Sequence, residues 1–310
     1  MNIRVTILAL TLLTGCNLSD ETANTSGNSN NTNPSNNTNT ADMGGTSDTG
    51  GSTSDTGSTS DAGSDSGATE DYWRPRPGTT WAWQLTGTID TSVDVDVYDV
   101  DMVETSDAVF QTLWDDGRAI ICYFSAGTRE DYRDDADQFP SDAVGKTLPE
   151  WPDEQWLDIR DAGVREVMMA RMDYAKDRGC DAIEPDNVDG YSNDTGFPLT
   201  QEDQLDYLKF LSSEAHKRGL SVGLKNAVDV VDKVVGDFDF AINEECITYD
   251  ECDAVRPFID AGKAVFHVEY VDRQEQGAAR QSTVCANRSR AGFSTLIKVW
   301  DLDAWYLTCP

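Results

Sequence analysis

Histidine is nearly absent from this chain: His216 and His267 are the only two in 310 residues, and no Cys-x-x-Cys pair accompanies them. Zinc is therefore disfavoured, because a tetrahedral site draws on closely spaced cysteine and histidine ligands. Cations are scarce as well. Lysine and arginine number 24 against 56 aspartates and glutamates, a formal net charge of −32, which argues against a nucleic-acid partner. Long apolar runs are also missing, and beyond the first fifteen residues nothing is long and apolar enough to span a bilayer.

The one early apolar run is Val5 to Leu13, preceded by Arg4 and closing in Leu13-Thr14-Gly15-Cys16. A basic start, a short apolar core and small residues before a cleavage point predict a secretory signal over residues 1–15. The closing word resembles the bacterial lipobox. That likeness implies a lipidated Cys16 anchored in a membrane by acyl chains, in a bacterial cell envelope, at the outer membrane or cell surface. Residues 16–71 are then almost wholly Ser, Thr, Asn, Gly and Asp. Such a composition cannot bury a core and predicts a disordered tether. Residues 72–310 remain for folding, an ordinary size for one barrel domain. They hold 23 basic and 47 acidic residues, a surplus that suits a cationic substrate or simply a solvated acidic surface.

Six cysteines follow Cys16, and an even count in an exported chain predicts disulfides. Cys246 and Cys252 enclose a five-residue loop and are expected to pair; Cys285 and Cys309 could tie down the C-terminal segment. Cys122 and Cys180 sit inside apolar runs and read equally as buried thiols or as a bridge.

Nine runs read as strands: 79–86, 93–101, 119–125, 156–160, 180–186, 220–226, 238–244, 264–270 and 295–300. In the second, Val93, Val95 and Val97 share a face with Asp99 and Asp101, an apolar stack finishing in two acids. Helical spacing marks 162–178 and 201–218, closed by Gly179 and Gly219. Alternating strands and helices predict a parallel sheet in an α/β fold, closed into a single (β/α)8 TIM-type barrel with an extra C-terminal strand, the last candidate being the surplus one.

A barrel of this kind assembles its site at the C-terminal strand ends. The polar residues there are Asp99, Asp101, Tyr123, Asp158, Glu184, Asp186, Asn187, Lys225, Asn226, Glu244, Glu269 and Tyr270. Acids dominate. Two carboxylates in unlike environments are what glycosidic cleavage requires, one ionised and one able to donate a proton. Glu184 lies one layer deeper than Asp186 and reads as a buried partner of Lys225 or of a backbone group. Asp99, Asp101 and Asp158 read equally as strand-end caps and as substrate binders.

Seven words, namely Trp81-Ala82-Trp83-Gln84-Leu85, Asp96-Val97-Tyr98-Asp99-Val100-Asp101, Cys122-Tyr123-Phe124-Ser125-Ala126-Gly127, Glu184-Pro185-Asp186-Asn187-Val188-Asp189, Gly223-Leu224-Lys225-Asn226, Asn243-Glu244-Glu245-Cys246 and Phe266-His267-Val268-Glu269-Tyr270, together resemble glycoside hydrolase family 114. The resemblance implies an eight-stranded barrel and an endo-acting α-1,4-polygalactosaminidase that retains configuration. It places the catalytic aspartate on Asp186 and the glutamate on Glu244, with Glu245 standing where the family commonly has glutamine. Asp186 is then the nucleophile and Glu244 the acid/base. Asp99, Asp101, Asp158 and Glu269 are expected to hold substrate hydroxyls or ammonium groups, and Tyr123, Asn187, Lys225, Asn226 and Tyr270 to bind and orient them. No metal or organic cofactor is needed. The competing readings are a surface-anchored polysaccharide-binding barrel without turnover and a metal-dependent sugar transferase built on Asp99 and Asp101.

Overall fold

The computed structural model describes residues 72–310. The expected signal (1–15), the lipidated Cys16 and the tether (16–71) lie outside the described residues. Twelve strands and six helices make up the described part: β1 Trp81–Gln84, β2 Val97–Asp101, α1 Asp107–Asp115, β3 Ala119–Ser125, β4 Thr128–Glu130, β5 Val144–Thr147, β6 Glu154–Leu157, α2 Ala162–Asp177, β7 Ala182–Asp186, α3 Gln201–Lys217, β8 Ser221–Lys225, α4 Val231–Val234, β9 Phe240–Glu244, α5 Cys252–Asp260, β10 Val265–Val271, α6 Gly277–Ala286, β11 Ser294–Val299 and β12 Leu307–Thr308.

Eight strands pair in parallel in the order β1-β2-β3-β7-β8-β9-β10-β11, and β12 adds antiparallel to β11. No ladder joins β1 to β11. The two edges meet through other bonds: Trp81 Nε1 donates to the Ser294 carbonyl (2.9 Å), Ser294 Oγ to the Thr79 carbonyl (2.6 Å), and the Leu85 amide to the Leu302 carbonyl (3.0 Å). The sheet thus curls into the expected TIM-type barrel.

Strand alternation sorts the side chains into two cores. Trp81, Trp83, Val97, Ile121, Phe240, Ile242, Phe266 and Val268 fill the lumen. Tyr98, Val100, Ile120, Cys122, Ile183, Val222 and Leu224 face outward under the helices. Helix α2 shows why those helices form. Asp161 caps it by accepting from the Gly163 (2.7 Å) and Val164 (3.3 Å) amides. Its buried stripe is Val164, Val167, Met168, Met172 and Ala175, where each large apolar side chain contributes roughly 1.5–3 kcal/mol by leaving water. Helix α3 starts with a Thr200/Asp203 capping box.

Three expectations need correction. The run 156–160 is not a barrel strand: Trp156 and Leu157 end β6, which pairs antiparallel with β4 and β5 in a separate three-stranded sheet. The candidate 295–300 is consequently the eighth barrel strand, and the extra C-terminal strand is the two-residue β12. Val93 and Val95 precede β2 and pack on the outer core, so the shared lumen face is only Val97, Asp99 and Asp101. All three cysteine pairs are bridged: Cys122–Cys180, Cys246–Cys252 and Cys285–Cys309.

Candidate active site

Lys225, the last residue of β8, stands at the centre of the barrel mouth with 2% of its side chain exposed. Its ammonium lies 2.8 Å from Glu184 Oε1, 3.1 Å from Asp186 Oδ2 and 3.4 Å from Glu244 Oε2. Below it lies the Trp83 ring, its centroid 4.9 Å from Nζ, a cation–π contact in a dry setting. Burial works against this charge, but Asp186, Glu184 and Glu244 outweigh it and hold the amine protonated.

The strands end where these groups are needed. Residues 187, 226, 227 and 245, which follow the tips of β7, β8 and β9, all adopt positive φ (60°, 46°, 47° and 59°). That left-handed turn is unusual for residues other than glycine, though asparagine tolerates it. Turning there, Asn187 donates its amide to Asp186 Oδ1 (2.7 Å). Asn226 and Glu244 bond reciprocally: Nδ2 to Oε2 at 2.8 Å, and the Glu244 amide to Oδ1 at 2.9 Å. Tyr270, on the lumen face of β10, donates its hydroxyl to Glu244 Oε1 (2.5 Å). Glycine is required at 127, since a Cβ there would lie 1.7 Å from the Asn187 carbonyl oxygen.

Burial tends to raise the Glu244 carboxyl, but Lys225, Tyr270 and Asn226 overcome it and leave the pKa below its ordinary value. Glu184 is pushed up to about 7 by burial, with Lys225 opposing. Asp99 lies wholly buried beneath, far above the usual carboxylate range through burial and the neighbouring Glu184. Neither oxygen of Asp99, nor Oε2 of Glu184, accepts a bond from any N–H or hydroxyl. A proton held by Asp99 and donated to Glu184 satisfies both groups.

The expected site residues therefore divide. Asp186, Glu244, Lys225, Asn226 and Tyr270 come together at the mouth, with the Tyr123 ring 5.9 Å from Lys225 Nζ. Lys225 is too deeply enclosed to meet substrate, and its partner Glu184 is the one foreseen. Asp99 is likewise out of a ligand's reach. Asp101 is occupied by Arg133, which grips both its oxygens (3.0 and 2.6 Å), and by the Val103 and Glu104 amides. Asn187 turns its side chain away from the mouth toward Ser125 Oγ (3.0 Å) and Thr128 Oγ1 (3.3 Å). Asp158 follows β6, not a barrel strand, and pairs with Arg160 (2.8 Å).

Glu269 is also removed from the mouth. It occupies the outer face of β10, opposite to Tyr270, wholly buried and accepting from His267 Nε2 (3.0 Å), the Ile247 amide (2.7 Å), Thr248 Oγ1 (2.8 Å) and Arg280. Neighbours on a strand point to opposite faces, so Glu269 and Tyr270 do not share a site. Cys246, Cys252 and His267 approach one another within 4.8 Å, but both sulfurs are tied up in a disulfide and offer no thiolate for a metal. Sequence reasoning missed Arg133, Arg171, Glu130 and Glu154, which sit on or beside the small sheet and brace the mouth. It also missed Trp300, which stacks on Tyr270 with ring centroids 4.0 Å apart.

A model of glycoside hydrolase family GH114 matches residues 63–310. Among solved structures the chain is similar to Aspergillus fumigatus Ega3, in complex with galactosamine, at 42% identity, covering 76% of this chain and 97% of that one with a TM-score of 0.73. It is similar also to the glycoside hydrolase domain of PelA from Pseudomonas aeruginosa, at 13% identity, 74% and 97% coverage and a TM-score of 0.57, a likeness that concerns the fold alone. No curated protein matches the sequence.

Proposed function

The chain belongs to glycoside hydrolase family GH114, and from that premise we propose that it is an endo-acting, retaining glycosidase that cleaves α-1,4-linked galactosamine-containing polysaccharide. The carrying observation is the pair Asp186 and Glu244 on one ammonium. Since Lys225 Nζ is 3.1 Å from one carboxylate and 3.4 Å from the other, the two bonded oxygens lie no farther apart than those distances end to end, about 6.5 Å. That bound admits the ~5–5.5 Å spacing of a retaining pair. Galactosamine is favoured by the similarity to Ega3 and by a mouth where acids outnumber the single lysine.

In this reading Asp186, held by the Asn187 amide and Lys225, attacks the anomeric carbon. The bond from that carbon to the glycosidic oxygen breaks, and the oxygen takes a proton from Glu244. Water then attacks the same carbon, gives its proton to Glu244 and frees Asp186. The free site holds Glu244 ionised, the form needed for the second step. Substrate closing over the mouth removes water from Glu244 and raises its pKa for the first. The Tyr270 hydroxyl can donate or accept, so its bond serves both forms.

A reducing-end assay on a panel of amino-sugar polymers, without nucleotide sugar or divalent metal, tests the proposal. New ends from the galactosamine polymer are expected; folded protein that releases none from any member contradicts it. Export and lipid anchoring belong to the same proposal and rest on the sequence of residues 1–71. Cys16→Ser should move the protein from the membrane fraction to the soluble one, and unchanged, detergent-requiring retention would refute the anchor.

A further inference from the structure

Beside the catalytic pair, on the side of Glu244 away from Asp186, lies an open cavity of ≈ 480 Å³ bounded by Glu245, Thr248, Tyr270, Asp272, Arg280 and Trp300. It shares a wall with the active site, because Tyr270, whose hydroxyl holds Glu244, also stacks against Trp300. Trp300 is 37% exposed, an aromatic surface of the kind on which a sugar ring can lie.

The polar side of the cavity is out of balance. Glu245 is partly buried, and its carboxylate forms no ion pair among the described residues. Burial, then Glu269 and Glu244, push its pKa up to about 7, with Arg280 and Thr248 opposing, so a further cation at this carboxylate would be favoured. Asp272 adds an exposed acid. The one cation in the lining, Arg280, is drawn back onto Glu269 and Thr248, where Glu269 offsets its charge.

The geometry points to this cavity as an aglycone-side subsite for an amino sugar carrying a free ammonium, whose ring stacks on Trp300 and whose amine pairs with Glu245. The inference rests on the glycosidase reading above. The acid/base must adjoin the departing oxygen, so the space beyond Glu244 belongs to the sugar that leaves. A charge-assisted pair at a half-buried carboxylate exceeds a neutral hydrogen bond, and an N-acetylated sugar would leave Glu245 without its cation. The subsite therefore selects deacetylated residues next to the cut.

The test uses the full chain, Glu245→Gln and Trp300→Ala on two substrates. One is a de-N-acetylated α-1,4-galactosamine oligomer; the other is a nitrophenyl α-galactosaminide, which places no amine beyond the cut. Glu245→Gln should lower kcat/KM on the oligomer by roughly tenfold, chiefly through KM, and change the nitrophenyl substrate by no more than about twofold. Trp300→Ala should likewise lose more on the oligomer. Parallel losses on both substrates would mean that Glu245 acts through Glu244 and would overturn the subsite. So would unchanged kinetics on the oligomer. Wild-type protein that cuts neither substrate would instead refute the glycosidase reading, and the subsite with it.

Discussion

Two clusters of buried charge stand at the mouth of the same barrel, one rich in cations and the other poor. Around Arg133 and Arg171 the acids Asp101, Glu130 and Asp135 are each gripped by a guanidinium, through bonds of 2.6 to 3.0 Å. Around Lys225 a single ammonium serves Glu184, Asp186 and Glu244, with Asp99 beneath them. The saturated cluster resembles a buried ion network that fixes a loop and leaves nothing over for a ligand. The undersaturated one leaves Asp186 and Glu244 partly exposed, with Glu244 held below its ordinary pKa and the buried Glu184 beneath raised, an unlike pair of environments of the kind acid–base chemistry uses.

The sharpest way to separate the clusters is to neutralise one acid in each. Asp186→Asn and Glu244→Gln preserve shape and should lower turnover by about a thousandfold or more, with melting temperature nearly unchanged. Asp101→Asn should leave turnover of the folded protein near wild type. If Asp101→Asn lost as much activity with stability intact, the distinction between the clusters would collapse.

Removing the cations should reveal a different order. Arg133→Met strands Asp101 and Glu130 and should cost about 3–5 kcal/mol of stability, measured by denaturant melts. Lys225→Met should also destabilise, and in addition shift the pH–rate profile, because the groups it holds are the ones proposed to react. A profile that moves with Arg133→Met and stays fixed with Lys225→Met would reverse the assignment.

A smaller effect should follow from opening the loop beside the site. The Cys246–Cys252 bridge closes a span of six residues, so Cys246→Ser with Cys252→Ser should lower stability by roughly 2–3 kcal/mol. Peptide mapping of unreduced protein that finds both thiols free would remove the basis for that loss.

The smallest concerns pH. Glu154, on β6, accepts from Thr128 Oγ1 (2.6 Å), and burial lifts its pKa to about 7, as it does for Glu184. Folded protein then holds protons that the unfolded chain releases between pH 4.5 and 7. Stability from these groups is fully present below about pH 4.5 and is lost as pH rises through 7. Glu244 and Glu269, both lowered, act in the opposite sense and lose their contribution as pH falls below their ordinary range. Melting temperature should decline from pH 5 to 7, and Glu154→Gln should flatten that decline. A wild-type curve that rises over the window would contradict it.

Much of the fold and part of the site could be read in the sequence because strand parity is a physical constraint. Glu184 beneath Asp186, and Glu244 rather than Glu245 on the lumen face, both follow from period-two geometry. Parity holds at β10 too, but all seven residues from Val265 to Val271 are buried, so it does not say which face is the lumen. A strand covered on both faces carries no polar alternation to say which way Glu269 points. The run 156–160 misled for a related reason: alternation marks a strand without revealing its sheet. Arg133 lies 32 residues from Asp101 on irregular chain, where no periodicity announces a partner. The turn at Glu245 needs a backbone angle that its sequence neighbours do not signal.

Covalent capture tests the assignment of Asp186 to attack on the sugar and of Glu244 to the proton. Wild-type protein should be treated with a mechanism-based galactosaminide bearing a good leaving group and digested for mass spectrometry. One sugar is expected on the peptide containing Asp186, with no label in Asp186→Asn and longer-lived label in Glu244→Gln, whose deglycosylation lacks its base. Label on another residue, or equal labelling of Asp186→Asn and wild type, would contradict it.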